Sequence, residues 1–322
     1  MQGRIEVEDK IERGVLDKLN NDPRCVQDWY YSLRAKGTTV KSCRDYLNKV
    51  EHFLEQIKET EPKNITVSDL SRYFADIQYK LDRNGLKTKT SPAYRKSVWF
   101  ALNNFFEYQL ETGAISKNYM NTVKPTHGNN ETIKRKPMLT DEDFKDMLSN
   151  IPGELGTPIY KRNKAILLLY MTTGMRRDAL CQINISDFNF KEKTLNVIDK
   201  GEKLHTYRIN DNTMKSIYEW LNTRNSVANH PTEAMFLSYQ GNRITGNAIY
   251  NMVTECSRKT FGKVISPHKL RSGLCSILYK QTGDIEFVRR AIGHSTVTTT
   301  QRYIITDGNE RMVASQIMEN LL

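Results

Sequence analysis

The segment Val123–Met138 constrains the fold more than any other feature of this chain. It reads VKPTHGNNETIKRKPM and combines proline, glycine, asparagine and basic residues with no hydrophobic periodicity, which is typical of a linker. A chain of 322 residues is long enough for two domains with separate cores. We therefore predict one domain at residues 1–122, a linker at 123–138 and a second domain at 139–322.

Three stretches of the N-terminal half have the spacing of amphipathic helices. Residues 39–57 place five apolar side chains at three- and four-residue steps: Cys43, Leu47, Val50, Leu54 and Ile57. Residues 65–81 repeat this pattern with Ser68 as the expected N-cap, and residues 91–110 have Pro92 just inside a helix start. These patterns predict that roughly the first 120 residues are all-helical.

The C-terminal half also reads mostly as helices, with one interruption. In LTDEDF, Thr140 is the expected N-cap of the first helix. The segment KTLNVIDKGEKLHTYRI has two β-leaning runs on either side of residues 200–203, which indicates a β-hairpin with Lys200 in its turn. The predicted fold class is therefore mostly α, with a small β-hairpin or sheet in the second domain.

Composition and charge narrow the class of protein. The hydrophobic fraction of 38% and the charged fraction of 26% are typical of a globular chain. The net charge of +11 favours a polyanionic partner such as nucleic acid. No apolar run approaches the roughly 20 residues of a membrane span, and the N-terminus MQGRIEVEDK lacks a signal-peptide core. We therefore expect a cytoplasmic protein with no membrane partner.

The five cysteines agree with a reducing compartment. They are odd in number, scattered and never in CxxC spacing: Cys25, Cys43, Cys181, Cys256 and Cys275. This pattern indicates reduced core thiols rather than disulfides or zinc ligands.

Four lysines lie in or beside the joints of the predicted N-terminal helices: Lys36, Lys41, Lys87 and Lys89. Side chains in such places can contact phosphates. A solvated loop lysine accounts equally well for any one of them. We treat all four as candidate DNA-binding residues.

Two short motifs of the C-terminal half place cationic side chains at helix starts, where backbone amides favour anions. In TTGMRR, an apolar helix is expected to stop at the glycine, so that Arg176 begins the next helix. In SPHKLR, Ser266 can cap a helix and Pro267 can take its first position. His268 and Arg271 would then share one face of the first turn, as a phosphate site requires.

A third motif, GHSTVTTTQRYI, places His294 nine residues before Tyr303. The plain alternative for Tyr303 is a tyrosine that packs in a core. In chain order, however, the C-terminal half now presents an arginine, a hairpin lysine, His-x-x-Arg, a histidine and a tyrosine. Each member is unremarkable alone, but the ordered set is specific.

This ordered set resembles the tyrosine recombinases, the phage-integrase family of site-specific DNA recombinases. The family's T-G-x-R, hairpin lysine, H-x-x-R and final Gly-His followed by tyrosine are matched here by TTGMR, DKGEK, HKLR and GHSTVTTTQRY. The similarity covers nearly the whole chain, because the helical N-terminal half is similar to the family's core-binding domain. It implies a two-domain DNA clamp, with residues 1–122 as the core-binding domain and 139–322 as the catalytic domain.

The resemblance implies six catalytic residues: Arg176, Lys200, His268, Arg271, His294 and Tyr303. A tyrosine hydroxyl with a pKa near 10 is a poor nucleophile at neutral pH, and attack on a phosphodiester builds negative charge on its oxygens. The two arginines would meet that charge, His294 would donate a hydrogen bond to the phosphate, and His268 would accept the proton of the nucleophile, Tyr303. Lys200 would protonate the departing 5′-hydroxyl. The product is a 3′-phosphotyrosine, and no cofactor, ATP or metal is needed.

The resemblance further implies double-stranded DNA with specific recombination sites as the partner. Four protomers would form a homotetramer on two sites and exchange strands through a Holliday junction. The tail NERMVASQIMENLL is amphipathic, with Met312, Ile317 and Leu321 available to dock on a neighbouring subunit or to fold back on their own domain.

One position departs from the family pattern. Members usually carry an acidic residue three positions after the first arginine, and this chain has Ala179 there. Asp178 is adjacent, but one step along a helix rotates a side chain by about 100°. The sequence therefore leaves open how Arg176 is buttressed.

Several alternatives stay open on sequence alone. A type IB topoisomerase shares the chemistry but relaxes DNA without choosing a site, although the integrase-like N-terminal half argues against it. A non-catalytic DNA-binding protein on a recombinase scaffold would not need every catalytic position filled. A metal site at His268, His294 and Cys275 has no supporting spacing. Among recombinases, the chain length favours integration or excision of a mobile element over an Xer-like resolvase of chromosome dimers.

Overall fold

The computed structural model describes residues 2–82, 85–125, 139–198, 204–294 and 296–301. The chain divides into two compact units, Met1–Thr132 and Ile133–Leu322. Most of the described residues are helical, and each unit contains one small antiparallel sheet. The predicted fold class is confirmed. Most of the predicted linker, the 200–203 turn, Tyr303 and the C-terminal tail lie outside the described residues.

The described part of the N-terminal unit is built from helices and one short hairpin. The helices are α1 (Gln2–Leu19), α2 (Arg24–Ala35), α3 (Val40–Ile57), α4 (Val67–Asp76) and α5 (Pro92–Glu111). The strands are β1 (Tyr79–Leu81) and β2 (Lys87–Lys89), which pair antiparallel. The expectation of an all-helical N-terminal half is therefore wrong. Strands of three residues with exposed side chains carry too little alternation for a sequence pattern to reveal them.

Local capping chemistry sets where the N-terminal helices begin. Pro92 takes the first position of α5 after Ser91, whose side chain accepts a hydrogen bond from the amide of Tyr94. The N-cap of α4 is Thr66, which forms a reciprocal capping box with Asp69. Ser68 lies inside that helix, so its predicted capping role is wrong. The three-residue spacing from Thr66 to an acidic residue was the stronger signal.

Aromatic side chains fill the core of the N-terminal unit. The rings of Trp29 and Phe105 meet edge to face with centroids 5.3 Å apart, and Phe53 packs on Phe106 at 6.1 Å. Such pairs add a geometric preference to the burial of apolar area. The indole nitrogen of Trp29 donates to Asn104 Oδ1 at 2.9 Å, which satisfies its buried polar group.

The described part of the C-terminal unit surrounds a second core. Its helices are α6 (Asp141–Ser149), α7 (Pro158–Thr173), α8 (Arg177–Gln182), α9 (Asp211–Arg224), α10 (Gly246–Phe261), α11 (Pro267–Thr282), α12 (Ile285–Ile292) and α13 (Val297–Gln301). Thr140 caps α6 through a capping box with Asp143, as predicted for Thr140. Trp220 on α9 is fully buried and donates to the carbonyl of Met235 at 2.9 Å.

A three-stranded antiparallel sheet lies in this unit in the order β3 (Phe188–Asn189), β4 (Thr194–Ile198), β5 (Leu204–Arg208). In the β4–β5 ladder, Leu195 faces Tyr207 and Val197 faces His205. Directly opposed residues share one face of a sheet. Leu195, Val197 and Tyr207 are buried, so this face is the core side, and His205 lies on it. The predicted hairpin is confirmed in its two strands.

Two further features are the state of the cysteine thiols and the length and polarity of the helices. All five cysteines are free thiols, and all are buried except Cys25, which is half-buried. Within the described ranges, no helix is both long and apolar enough to cross a bilayer.

Candidate active site

Arg176 lies at the junction of two helices. α7 ends at Thr173, and Gly174 adopts the left-handed conformation with φ 58° while its amide donates to the carbonyl of Tyr170 at 2.8 Å. Arg176 then occupies the extended N-cap position of α8 and is half-buried. The predicted helix break and the predicted place of Arg176 at a helix start are both confirmed.

The neighbouring arginine, Arg177, is engaged elsewhere. Its Nε and Nη2 both donate to Asp178 Oδ1, at 3.0 and 2.9 Å. Its guanidinium also lies against the start of α10, where a Cβ added to Gly246 would be 2.9 Å from Arg177 Nε. The exposed carboxylate of Asp178 and the start of α10 thus hold the Arg177 guanidinium.

α11 begins at Pro267, as the sequence predicts. Ser266 occupies the N-cap position, but its side chain makes no capping hydrogen bond, so that part of the prediction is wrong. One turn of the helix carries both His268, which is exposed, and Arg271, which is only 3% exposed. The two side chains therefore differ strongly in their access to solvent.

Arg271 links two other segments of the C-terminal unit. Its Nη1 donates to the carbonyl oxygen of Gly174, at the end of α7. Its Nε donates to Nε2 of His294 at 3.3 Å. A buried guanidinium needs acceptors for its N–H groups. The two acceptors named here belong to the TTGMR and GHST motifs. The structure thus joins the TTGMR, HKLR and GHST motifs at one point.

The hydrogen bonds of His294 define its tautomer. Since Arg271 is always a donor, the Nε2 that receives its hydrogen bond carries a lone pair. The proton of a neutral ring is then on Nδ1, which lies 3.0 Å from Thr300 Oγ1 and donates to it. Both residues are buried, at 3% and 0% exposed. His294 is therefore oriented from both sides of its ring.

The backbone of His294 is held by Arg289, a residue that sequence reasoning missed. Arg289 Nη1 donates to the carbonyl oxygen of His294 at 2.8 Å, and the amide of His294 donates to the carbonyl of Arg289 at 2.9 Å. Glu286 grips the same guanidinium with both oxygens, at 2.7 and 2.6 Å. Hydrogen bonds from Arg289 and then Arg290 lower the pKa of Glu286 to about 2, so this carboxylate stays charged at any physiological pH. The spacing Glu286-x-x-Arg289 signals a helical ion pair but not its link to His294.

β5 meets the turn that carries His294. Gly293 has φ 74°, and a Cβ added there would lie 3.0–3.4 Å from three atoms of the His205 ring. The imidazole of His205 therefore packs directly on the Gly293 backbone. This contact puts the start of β5 at the site. Lys200 and Tyr303 themselves lie outside the described residues.

Electrostatics tie His268 to the same cluster. Desolvation of this exposed but partly covered ring, followed by the positive charges of Arg271 and Arg176, lowers the pKa of His268 below its usual value near 6.5. His268 lies three residues before Arg271 on α11, and Arg176 lies two residues after the Gly174 carbonyl that Arg271 contacts. Of the six predicted catalytic residues, the structure thus brings four together: Arg176, His268, Arg271 and His294. A lowered pKa favours the neutral ring of His268, which is the form that accepts a proton.

Ala179, at the position that departs from the family pattern, is buried in the core of the C-terminal unit. Asp178 is exposed and accepts both hydrogen bonds from Arg177. The short helix α8 therefore turns position 179 inward and position 178 toward solvent, as the rotation per residue requires. An apolar side chain fills the place of the usual acid.

The four candidate DNA-binding lysines are all exposed on the N-terminal unit. Lys36 follows α2 and forms a 3.6 Å ion pair with Glu111, while Lys41 lies in the first turn of α3. Lys87 and Lys89 lie on β2. Among the residues with described positions, no group of three or more potential metal ligands comes together.

Comparison with known proteins agrees with this geometry. Residues 137–310 match the model of the phage integrase family. Tyrosine recombinase XerC of Shewanella sp. (strain W3-18-1) is 24% identical over 296 residues, which cover 90% of this chain and 92% of that protein. XerH site-specific recombinase bound to a palindromic difH substrate superposes with a TM-score of 0.68 at 22% identity, covering 88% of this chain and 82% of that one. The Tn1549 transposon integrase in complex with circular intermediate DNA gives 0.66 at 18% identity, covering 90% and 98%.

The family match spans more than half of the chain and contains all six predicted catalytic positions. The chain therefore belongs to the phage integrase family, and the resemblance expected from its motifs is confirmed. It is a tyrosine recombinase.

Proposed function

We propose that the chain cleaves and rejoins DNA at specific sites by attack of Tyr303 on a phosphodiester. The phenolic oxygen would bond to phosphorus while the 5′-oxygen departs, which leaves a 3′-phosphotyrosine and a free 5′-hydroxyl. Arg176 and Arg271 would neutralise the charge that develops on the non-bridging oxygens. His268 would take the proton of Tyr303, and the reverse attack by a 5′-hydroxyl would restore the DNA backbone without an external energy source.

The observation that carries this proposal is the Arg271–His294 contact. It joins two sequence motifs that lie 23 residues apart, with Arg271 also bonded to the carbonyl of Gly174. A cluster of arginine and histidine side chains without carboxylates, as the described residues form here, is a site for an anionic group rather than for a metal. A phosphate oxygen is the substrate group with that charge.

The nucleophile is tested with a suicide substrate. A duplex that the wild-type protein enriches from a randomised pool serves as the site, and a nick near the scissile position prevents religation. Wild-type protein should accumulate a covalent adduct, while Tyr303→Phe should shift the same duplex in a gel and trap none. An adduct in Tyr303→Phe would rule out this residue as the nucleophile. Loss of binding as well would assign Tyr303 a structural role instead.

We assign the general acid to Lys200. The packing of His205 on Gly293 supports this, because it puts the β5 end of the hairpin beside His294. A general acid matters only when the departing atom is a poor leaving group. Lys200→Ala should therefore cleave ordinary DNA more slowly by a factor on the order of 10²–10⁴.

Sulfur substitution tests that assignment. Replacing the scissile 5′-oxygen with sulfur gives a thiolate that leaves without protonation, so this substrate should restore most of the rate of Lys200→Ala. Lys203→Ala is the matched control from the same turn and should show neither the defect nor the rescue. Rescue of Lys203→Ala alone would make Lys203 the acid. Rescue of neither variant would mean that proton donation comes from another group.

The proposed working assembly is a homotetramer on two DNA sites, with both units of each chain enclosing the duplex. The net charge of +11 supports phosphate contacts from a large part of the surface. Light scattering of protein with site duplexes should give four chains per pair of duplexes. Residues 139–322 alone should bind more weakly and with a smaller salt slope than the full chain. Equal affinity of that fragment would remove the DNA role of the N-terminal unit.

The biological role we propose is integration or excision of a mobile element, with the cytosol as the place of action. The likeness to a transposon integrase supports it, while relatives named XerC favour the Xer-like alternative. Mapping the enriched site on the genome distinguishes them. A match beside the coding region supports integration or excision of a mobile element. A single match at a distant chromosomal locus supports resolution of chromosome dimers. Relaxation of plasmids with and without the site, at equal rates, would indicate a topoisomerase instead.

A further inference from the structure

The β1–β2 hairpin exposes apolar side chains that nothing in its own unit covers. All three residues of β1 are exposed, as are the two lysines of β2. Leu81 is 70% exposed and Leu86, in the turn, is 64% exposed. A hairpin this short is marginally stable by itself, and exposed leucines add nothing to it in water. The side chains would be stabilised only by a partner.

The base of the hairpin is fixed to the helical core. Thr90 is 6% exposed, its amide donates to the carbonyl of Gln78 at 2.8 Å, and its hydroxyl donates to the carbonyl of Ile77 at 2.6 Å. Arg95 on α5 donates to the carbonyl of Thr90 at 2.8 Å. The strands therefore project from a rigid base, and their tip is presented at a set position on the unit.

Hydrogen bonds also join the two strand ends beside the turn. Leu81 pairs with Lys87, so these two share a face with Tyr79. Leu86 follows Asp82 across the turn: the amide of Asp82 donates to the carbonyl of Leu86, and the amide of Leu86 donates to Asp82 Oδ1, both at 2.9 Å. The two leucines flank the turn from opposite faces. A partner that receives the hairpin tip first would cover both.

The charge around the tip selects the partner. Residues 79–89 include four basic residues and one acidic residue. Lys87 Nζ lies 4.8 Å from the centre of the Tyr79 ring, so the ammonium group stays beside the apolar face. An apolar tip flanked by ammonium groups fits a groove of duplex DNA. The groove has apolar groups at some base edges, and phosphates border it on both sides.

We propose that this hairpin enters the major groove of the DNA site and that Leu81 and Leu86 read thymine methyl groups. The major groove admits a two-stranded ribbon, and the C5-methyl of thymine is the apolar feature there. Lys80, Lys87 and Lys89 would contact the bordering phosphates and carry no sequence information. The proposal rests on the proposed DNA function and adds to it an element that specifies sequence.

Selection from a randomised duplex pool tests it with the full chain. Wild-type protein should enrich a motif, and Leu81→Ala/Leu86→Ala should lose preference at one contiguous block of that motif that contains thymine. Lys87→Gln/Lys89→Gln should keep the motif but bind all duplexes more weakly, with a smaller salt slope. Leu155→Ala removes a leucine that is 79% exposed on the other unit and should change nothing. Because all these side chains are exposed, the variants should fold as the wild type does.

Methyl deletion then identifies the contact. Replacing thymine by deoxyuridine within the affected block should weaken wild-type binding about threefold to fourfold per contacted methyl group, the size expected for one buried carbon. The same replacement should leave the affinity of Leu81→Ala/Leu86→Ala unchanged. Sensitivity of both proteins to deoxyuridine would overturn the assignment of the methyl contacts to these leucines.

The remaining outcomes separate this proposal from the function on which it rests. A leucine variant that enriches the wild-type motif undiminished would overturn the hairpin proposal and leave the recombinase function intact. If the leucine variant binds single sites normally but loses paired-site complexes, the hairpin would contact a second copy of the chain. That result would contradict the proposal. A wild-type protein that enriches no motif would refute the site-specific function, and the hairpin reading with it.

Discussion

Gly174 offers a direct test of how tightly the candidate active site is built. It ends α7 at φ 58°, where an alanine costs about 1–2 kcal/mol because its Cβ approaches the carbonyl oxygen. That Cβ would also lie 2.8 Å from Ile292 Cδ1 and 3.0 Å from Leu274 Cδ2. Both side chains are buried, at 1% and 8% exposed, so neither has free space to move into. Forced packing of this kind adds about 1–3 kcal/mol.

Gly262 is the matched control for the backbone cost alone. It ends α10 at φ 65°, in the same left-handed conformation, but a Cβ added there would meet nothing within 4 Å. Gly262→Ala should therefore lose about 1–2 kcal/mol of unfolding free energy, and Gly174→Ala about 2–5 kcal/mol. Urea denaturation followed by circular dichroism measures both losses, and their difference is the packing cost.

Gly174→Ala should also impair chemistry beyond its effect on stability. Leu274 lies one turn after Arg271 on α11, and Ile292 lies two residues before His294. Pushing these two side chains apart moves the arginine and the histidine that bond to each other. Cleavage of a suicide substrate under fully folded conditions should fall for Gly174→Ala and not for Gly262→Ala. Equal stability losses and equal cleavage rates in the two variants would refute the argument that this junction is tightly packed.

Three further predictions follow from the site. Arg176→Ala should cost far more cleavage than binding, whereas Arg177→Ala should do little, and equal rate losses would mean that the helix start is misplaced. Cleavage should fall on acidification with a midpoint below pH 6.5, because burial and then nearby arginines lower the pKa of His268 and only its neutral form accepts a proton; a pH–rate profile of single-turnover cleavage checks this. Arg289→Gln should lower the cleavage rate at unchanged DNA affinity, since it releases the carbonyl of His294, and Arg289→Lys should recover part of it.

The helices were predictable where the signal is local. The stripe from Cys43 to Leu54 on α3 is buried as its spacing requires, because a helix turns side chains three and four apart onto one face. The starts of α5 and α6 were equally predictable. Thr140 accepts a hydrogen bond from a backbone amide of α6, and Pro92 has no N–H that would need a partner at the start of α5. Ser68 shows the limit: four residues from position 66 to 71 are of types that can cap a helix, and the reciprocal bonds between Thr66 and Asp69 select Thr66.

The β1–β2 hairpin was not predictable for a different reason. Neither strand has a buried face that would require apolar and polar residues to alternate. The stability of the hairpin depends on contacts at its base, where Thr90 bonds to residues that directly follow α4. Such contacts are tertiary and leave no periodic trace. In the structure, the exposed leucines of the hairpin mark it as a candidate interaction site.

The motifs of the candidate site were readable from the sequence, but the groups that hold their described side chains were not. Arg289 lies five residues before His294, and the contact between them exists only because Gly293 turns the chain back at φ 74°. Thr300 stands in a run of similar threonines, and the sequence does not show which one reaches the ring. The motifs contain the candidate catalytic groups, whereas the positions of their supports depend on how the chain folds around them.

The tautomer of His294 bears on how the site would receive its substrate. With Nδ1–H on Thr300 and Nε2 accepting from Arg271, the neutral ring has no proton to give to a phosphate. A phosphate oxygen accepts more strongly than an imidazole, so it would draw Arg271 Nε away from His294. With that contact open, the neutral ring could donate from Nε2 in its other tautomer, in which Nδ1 accepts from the Thr300 hydroxyl. The Arg271–His294 contact would therefore have to open before His294 could donate a hydrogen bond to a phosphate.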